Sequence, residues 1–324
     1  MDATPFLAAF SLAFLFTLLL TPLVKRLATR AGALDRPNAR KVHKVPTPLW
    51  GGLGVFIAFV VALAGVLLWF DAFTASLGPK LWKNLLGMIV GGALIVMLGM
   101  IDDRFGMPAK VKLLGQLAIA AVMVSFGIRI DYFSTPFTGP VNLQVWQAVA
   151  VTMFWIVGIT NAINLLDGLD GLVAGVALGS AAIFLVVAGL NGQWLVVLVM
   201  AALAGCALGF LKYNFNPAQI FMGDTGSLFL GLMFAGWSVI GLLKTTATLA
   251  LAVPVLIMGV PILDTSFAIL RRWLAHRPIF QPDKGHLHHR LLGLGLSQRQ
   301  AVVLIYVINV MFGLAGLALA CVAR

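Results

Sequence analysis

Apolar residues dominate this chain in long uninterrupted runs, and polar residues collect between them. Ten runs are long enough to cross the roughly 30 Å hydrocarbon core of a bilayer as helices. They lie near residues 5–24, 49–70, 84–101, 113–128, 145–163, 172–190, 194–211, 227–243, 248–270 and 301–321. The pattern predicts an all-α polytopic membrane protein of about ten transmembrane helices, organised as one integral-membrane domain over residues 1–324. Lys25 and Arg26 follow the first run, and neither a basic residue nor a small-residue cleavage site marks it as a signal peptide. It is expected to be a retained helix.

Composition supports the membrane reading. Of 324 residues, 61% are hydrophobic and 10% charged, where soluble domains carry about 25% charged residues. The net charge of +11 does not call for nucleic acid, because anionic headgroups and basic cytoplasmic loops account for it. Cys206 and Cys321, both in apolar runs, offer no disulfide framework and no Cys-rich metal site. All 11 acidic residues are Asp, which excludes a His-Glu-x-x-His metalloprotease.

Charge also sets an orientation. If the loop after the first run is cytoplasmic, 17 of the 22 Lys and Arg residues fall on that side, leaving Lys80, Lys83, Arg129, Lys244 and Arg324 outside. Both termini are then expected outside. The outer loops are short and carry little chemistry, whereas the inner segments hold the polar clusters.

Asn161, Asn164, Asp167 and Asp170 recur every three residues, so neighbours share a helix face. Asp-Gly twice, at 167–168 and 170–171, predicts that the helix breaks there. Polar groups beside hydrocarbon are costly and mark function. Asp102 and Asp103 are adjacent carboxylates suited to a hard cation or to accepting a proton, or else form a solvated helix end with Arg104 as counter-ion. Asp224 stands in Phe-Met-Gly-Asp-Thr-Gly-Ser, where flanking glycines permit close approach of a ligand. It can hold Mg²⁺ through oxygen or cap the next helix, and the two roles are compatible. Asn214 and Asn216, with Phe215 and Phe221, supply amides and rings that suit a nucleobase. His286, His288 and His289 have no Cys or Glu to complete a zinc site. With Arg272, Arg277, Lys284 and Arg290 close in sequence, an anionic ligand is the better reading. Asp264 either solvates an inward face or marks a cavity.

Carboxylates and amides facing cations and His suit Mg²⁺-dependent phosphoryl transfer, with positioning as the main task of the protein. A site at the inner membrane surface implies one soluble and one lipid substrate, the lipid tail lying in a groove between helices. A secondary transporter is the alternative from another class, since Asp in a helical bundle can relay ions. It should place acids near the midplane and show repeat halves.

Five motifs in order carry a family resemblance: Asp35-Arg-Pro-Asn-Ala-Arg-Lys-Val-His43 with Pro46-Thr-Pro-Leu-Trp-Gly-Gly52, Asp102-Asp-Arg104, Asn161 to Gly171, Phe221 to Ser227, and His286-Leu-His-His-Arg-Leu291. Over nearly its whole length the chain resembles the polyprenyl-phosphate N-acetylhexosamine-1-phosphate transferases, especially their WecA/TagO branch. The resemblance implies about ten helices in a bacterial plasma membrane, a cytoplasmic active site, Mg²⁺ with Mn²⁺ as a possible substitute, and a possible homodimer. It implies transfer of GlcNAc-1-phosphate from UDP-GlcNAc to undecaprenyl phosphate, or else use of another UDP-N-acetylhexosamine such as the MurNAc-pentapeptide. Residue by residue it implies Asn164 and Asp224 as Mg²⁺ ligands and Asp102, Asp103 and His288 as catalytic groups. Lys44, Asp167, Asp170, Asn214, Phe221, His286, His289 and Arg290 are the implied substrate-binding groups. Direct attack by the lipid phosphate and a covalent aspartyl-phosphate route both remain open.

Overall fold

The computed structural model describes residues 2–37, 45–135, 139–241, 252–276 and 285–322. The elements follow in the order α1 (Thr4–Ala31), β1 (Leu34–Asp35), β2 (Thr47–Pro48), α2 (Gly51–Trp69), α3 (Asp71–Ala75), α4 (Pro79–Phe105) and α5 (Ala109–Ser125). Next come β3 (Tyr132–Thr135), β4 (Gly139–Asn142), α6 (Val145–Leu166), α7 (Leu172–Leu190), α8 (Trp194–Asn214) and α9 (Gly223–Ile240). The chain closes with α10 (Ala252–Ile257), α11 (Gly259–Leu274), α12 (Leu287–Gly293) and α13 (Gln298–Val322). The strands form two small antiparallel ladders, β1 with β2 and β3 with β4.

A helix apolar on every side belongs in the centre of a bundle, and α9 is that helix. Every one of its residues is buried except Asp224. It packs against α2, α4 and α6, and small residues let the backbones approach. Gly52 of α2 meets Gly226, Gly99 of α4 meets Thr225, and Gly231 meets Thr160 of α6. Membrane helices lack a hydrophobic drive toward one another, so such close contact is what holds them. α8 is the second buried helix, flanked by α1 and α7.

The outer helices bury one stripe only. In α1 this is Ala9, Ala13, Thr17, Thr21, Val24 and Ala28, at the spacing of one helix face. Leu15, Leu19, Leu23 and Leu27 stay exposed, as a lipid-facing row should. Pro22 cannot donate to the Leu18 carbonyl, and the Tyr213 hydroxyl donates to that oxygen instead at 3.0 Å.

Among the described residues seven helices are long and apolar enough to cross a membrane: α1, α2, α4, α6, α7, α8 and α13. The runs at 113–128 and 227–243 correspond to α5 and α9, of 17 and 18 residues. The run at 248–270, read from sequence as one span, holds two helices that part at Met258. Pro261 has no N–H for the Ile257 carbonyl, and Ser180 Oγ of α7 donates to that oxygen at 3.0 Å. The helix break is therefore satisfied from a neighbour.

Candidate active site

The acidic motifs meet at one end of the bundle, around the first turn of α9. The leading N–H groups of a helix have no partner within it, and here Asp103, from the last turn of α4, supplies one. Its Oδ1 accepts from Asp224 N at 2.8 Å, and its Oδ2 accepts from Thr225 N at 3.1 Å and Thr225 Oγ1 at 2.6 Å. An anion at a helix N-terminus also suits the helix dipole. The positive φ of Gly223, 69°, lets the chain turn into α9 directly against Asp103, where a Cβ would collide with the carboxylate.

Asp102 points the other way. Its Oδ1 accepts from Met107 N at 2.6 Å, and its Oδ2 lies 3.0 Å from Lys112 Nζ. Lys112 also contacts Asp224 Oδ2 and donates to Asn164 Oδ1 at 3.2 Å. Asn164 Nδ2 in turn donates to Asp224 Oδ1 and Ser227 Oγ, both at 2.8 Å. Three side-chain oxygens, from Asp102, Asn164 and Asp224, thus converge on one ammonium. One turn after Lys112 in α5 and one turn before Asn164 in α6, Gln116 and Asn161 exchange two hydrogen bonds, of 3.2 and 2.6 Å, and lock the register that presents Lys112 and Asn164.

After α6 the chain turns at Asp167, as the Asp-Gly pairs predict. Burial, with Asp224, Asp103 and Asp170 as neighbouring charges, pushes the Asp167 carboxyl well above the usual carboxylate range. Asp170 Oδ2 accepts from Asn216 Nδ2 at 2.9 Å and Ala218 N at 3.0 Å. Asn214 is buried. Its Oδ1 accepts from Gly171 N and its Nδ2 donates to Ile220 O. Asn214 and Asp170 together tie the loop after α8 to the start of α7.

The His segment lies against this turn. Asp264 of α11 places it, with Oδ2 2.9 Å from His286 Nδ1 and Oδ1 accepting from Leu287 N at 2.7 Å. His288 is buried with its ring on Gly168, where a Cβ would clash with the imidazole, and its Nδ1 has no hydrogen-bond partner among the described residues. Burial, together with His289 and His286, pushes the His288 imidazole down to about 4. The His289 ring lies tilted against His288, with centroids 4.3 Å apart.

A cleft of about 480 Å³ opens over these groups. Asp102, Asp103, Asp167, Asp170, Asn214, Phe221, Asp224 and His289 all line it. Asn164 sits behind Asp224, and His286 and His288 behind Gly168 and His289. Arg290 is exposed and is not among the lining residues, and Lys44 lies outside the described residues. Lys112 and Ser227 are missing from the sequence-derived set. A signal for Lys112 exists, because it continues the buried face of Gln116, Ile119, Ala120 and Met123 at helical spacing. No three His, Cys or Asp side chains are grouped to hold a metal among the described residues. The converging set is two carboxylates and an amide, oxygen donors of the kind Mg²⁺ takes.

The model for glycosyl transferase family 4 matches residues 85–242. That range holds both the Asp102–Asp103 pair and Asp224. The chain belongs to this family. It is 44% identical over 311 residues to a probable undecaprenyl-phosphate N-acetylglucosaminyl 1-phosphate transferase of Bacillus subtilis, covering 96% of this chain and 84% of the relative. It is 40% identical over 321 residues to the decaprenyl-phosphate N-acetylglucosaminephosphotransferase of Mycobacterium tuberculosis, covering 91% and 77%. A phospho-N-acetylmuramoyl-pentapeptide-transferase of Geobacillus kaustophilus is more distant, 32% identical over 331 residues.

Proposed function

We propose that this protein transfers GlcNAc-1-phosphate from UDP-GlcNAc to undecaprenyl phosphate, releasing UMP and forming undecaprenyl-diphospho-GlcNAc. The single observation that carries the reading is the convergence of Asp102, Asn164 and Asp224 on one cationic point beside the cleft. The higher identity to GlcNAc-phosphate transferases than to the MurNAc-pentapeptide enzyme supports the sugar. The gathering of acids at helix ends, rather than at mid-bundle, supports an enzyme over a transporter.

Asp102, Asn164 and Asp224 are the residues that would hold Mg²⁺, an all-oxygen set. When bound, the ion neutralises diphosphate charge in the transition state. The protein's own groups do the rest. Lys112 is a point charge within reach of a phosphate oxygen at the same spot. Asp103 keeps the α9 N-terminus rigid, so its dipole and Asp224 stay aimed at the cleft. The cleft-lining His289 faces the sugar diphosphate, with His288 and His286 behind it. Asp170 and Phe221 offer a polar edge and a ring to the uridine.

In the step itself, a lipid phosphate oxygen attacks the β-phosphorus, and the bond from that phosphorus to the oxygen bridging the α-phosphate breaks. UMP leaves with the electron pair. A phosphate monoester is largely ionised at neutral pH, with a second pKa of about 6, so no strong base is required. Asp103 accepts three hydrogen bonds, and Asp102 and Asp224 both pair with Lys112. Carboxylates so engaged are poor nucleophiles, which supports direct attack over an aspartyl-phosphate.

The proposed setting is a bacterial plasma membrane with the cleft at the cytoplasmic face, a reading that the Lys and Arg bias supports. The deciding assay incubates purified protein with undecaprenyl phosphate and UDP-GlcNAc or UDP-MurNAc-pentapeptide, with Mg²⁺ or with EDTA, and weighs the lipid product. A GlcNAc-diphospholipid formed only with Mg²⁺ is the expected outcome. Product formed equally in EDTA would remove the metal from the reading.

A further inference from the structure

A second concavity, of about 440 Å³, lies on the flank of α1 at the same end of the bundle. Lys25, Arg26 and Arg30 line it, and among the described residues no carboxylate does. Among the described residues none of these three cations is in an ion pair, and Lys25 makes only a 3.5 Å hydrogen bond to Gln219. Tyr213 and Gln219 form the opposite wall. Asn214 and Phe221, which line the active-site cleft, belong to the same segment from the end of α8 onward, so one segment borders both cavities.

Basic residues at a helix end need no ligand to explain them. Their arrangement here does more than follow that bias. At 100° per residue, Pro22, Arg26 and Arg30 stand on the same face of α1 as Leu15, Leu19 and Leu23, seven residues apart in the pairs Leu15–Pro22, Leu19–Arg26 and Leu23–Arg30. Those leucines are exposed, from 52% to 66%. A cationic notch therefore caps a lipid-facing apolar row on one face. That combination fits an amphiphile with an anionic head and an alkyl tail.

We propose that this notch binds an anionic glycerophospholipid of the surrounding bilayer, the phosphodiester against Lys25, Arg26 and Arg30 and one acyl chain along Leu23, Leu19 and Leu15. The substrate lipid is the less suitable occupant. Neither Asp102 nor Asp224 lines the notch, and among the described residues no carboxylate stands in it to share a metal with a phosphate.

The test is native mass spectrometry of the delipidated full-length protein titrated with phosphatidylglycerol or phosphatidylcholine of the same chain length. Wild type should hold one phosphatidylglycerol at concentrations where phosphatidylcholine leaves no adduct. The triple substitution K25Q/R26Q/R30Q should weaken that binding about 100-fold, with UMP release per mole unchanged. R26K/R30K should retain it, which keeps the test open if the triple variant fails to insert. Equal binding of both lipids, or phosphatidylglycerol binding unchanged in the triple variant, overturns the proposal. Displacement of phosphatidylglycerol by millimolar inorganic phosphate would make the notch a free-phosphate site and also overturn it. Tighter, notch-dependent binding of undecaprenyl phosphate would make it a substrate-holding site, again against the proposal.

Discussion

With its Nζ between Asp102, Asn164 and Asp224, Lys112 neutralises a cluster of carboxylates that would otherwise repel one another. Lys112→Gln should therefore lower the melting temperature in EDTA, and millimolar Mg²⁺ should restore more of it than the same Mg²⁺ adds to wild type, because a bound ion stabilises the folded state by mass action. Asp224→Asn should abolish the Mg²⁺ response in either background. A thermal-shift series with and without Mg²⁺ reads both effects, and an identical Mg²⁺ increment in all variants would count against a metal at this point. His288 gives a pH signature of opposite origin. Its imidazole is held near 4 in the folded chain and titrates near 6.5 when unfolded, so the unfolded state binds more protons between those values. Stability should then fall as pH drops from about 6.5 to about 4 and level off below, by up to about 3 kcal/mol. His288→Asn should flatten that segment of a melting-temperature profile, and a profile unchanged by the substitution would mean the ring is not buried neutral. The carboxylates were legible in the sequence because acids next to hydrocarbon demand a reason. Lys112 left only a weak trace, its place on the buried face of α5 ahead of Gln116, because a lysine at an inner helix end is already explained by charge bias.

The site is assembled by helix ends, so the contacts that fix helix register matter as much as the groups in the cleft. Gln116 of α5 and Asn161 of α6 pair amide to amide one turn deeper than Lys112 and Asn164. Hydrogen bonds between membrane helices are worth about 0.6 kcal/mol on average and up to about 1.7. A double-mutant cycle with Gln116→Ala and Asn161→Ala should give a coupling in that range, with kcat lowered far more than stability because both helices lose their register. Independent effects on kcat would show that each amide acts alone. The apolar pattern located nearly all the helices but not the break at Met258. Hydropathy counts Pro261 as a neutral residue, whereas the backbone responds to its missing N–H and to Ser180 taking the Ile257 carbonyl. The Asp-Gly turn after Leu166 was legible for the converse reason, since glycine announces the backbone freedom that a sharp turn requires.

α1 and α13 both lead away from the cleft. Arg104 Nε donates to Ala31 O at the end of α1, beside the Asp pair, and Gln298 at the start of α13 lines the cleft itself. The Thr4 end of α1 and the Val322 end of α13 therefore lie at the opposite end of the bundle, about 37 Å along a 25-residue helix. On the proposed orientation that far end faces outside, so the Thr4 and Val322 ends and the cleft should answer to opposite faces of the membrane. The protein carries its own reporter for this. Of its two cysteines, Cys206 is fully buried in α8, while Cys321 is exposed in the last turn of α13. A membrane-impermeant maleimide should label Cys321 in intact right-side-out cells or vesicles and fail to label it in sealed inverted vesicles, with Cys321→Ser removing the signal. UMP release from added UDP-GlcNAc should show the reverse preference, since a sealed inverted vesicle presents the cleft to the nucleotide. Labelling and activity on the same face would contradict the bundle's end-to-end geometry. Labelling confined to inverted vesicles would instead keep the geometry and reverse the assignment drawn from Lys and Arg, placing the cleft outside, away from the cell's nucleotide pool.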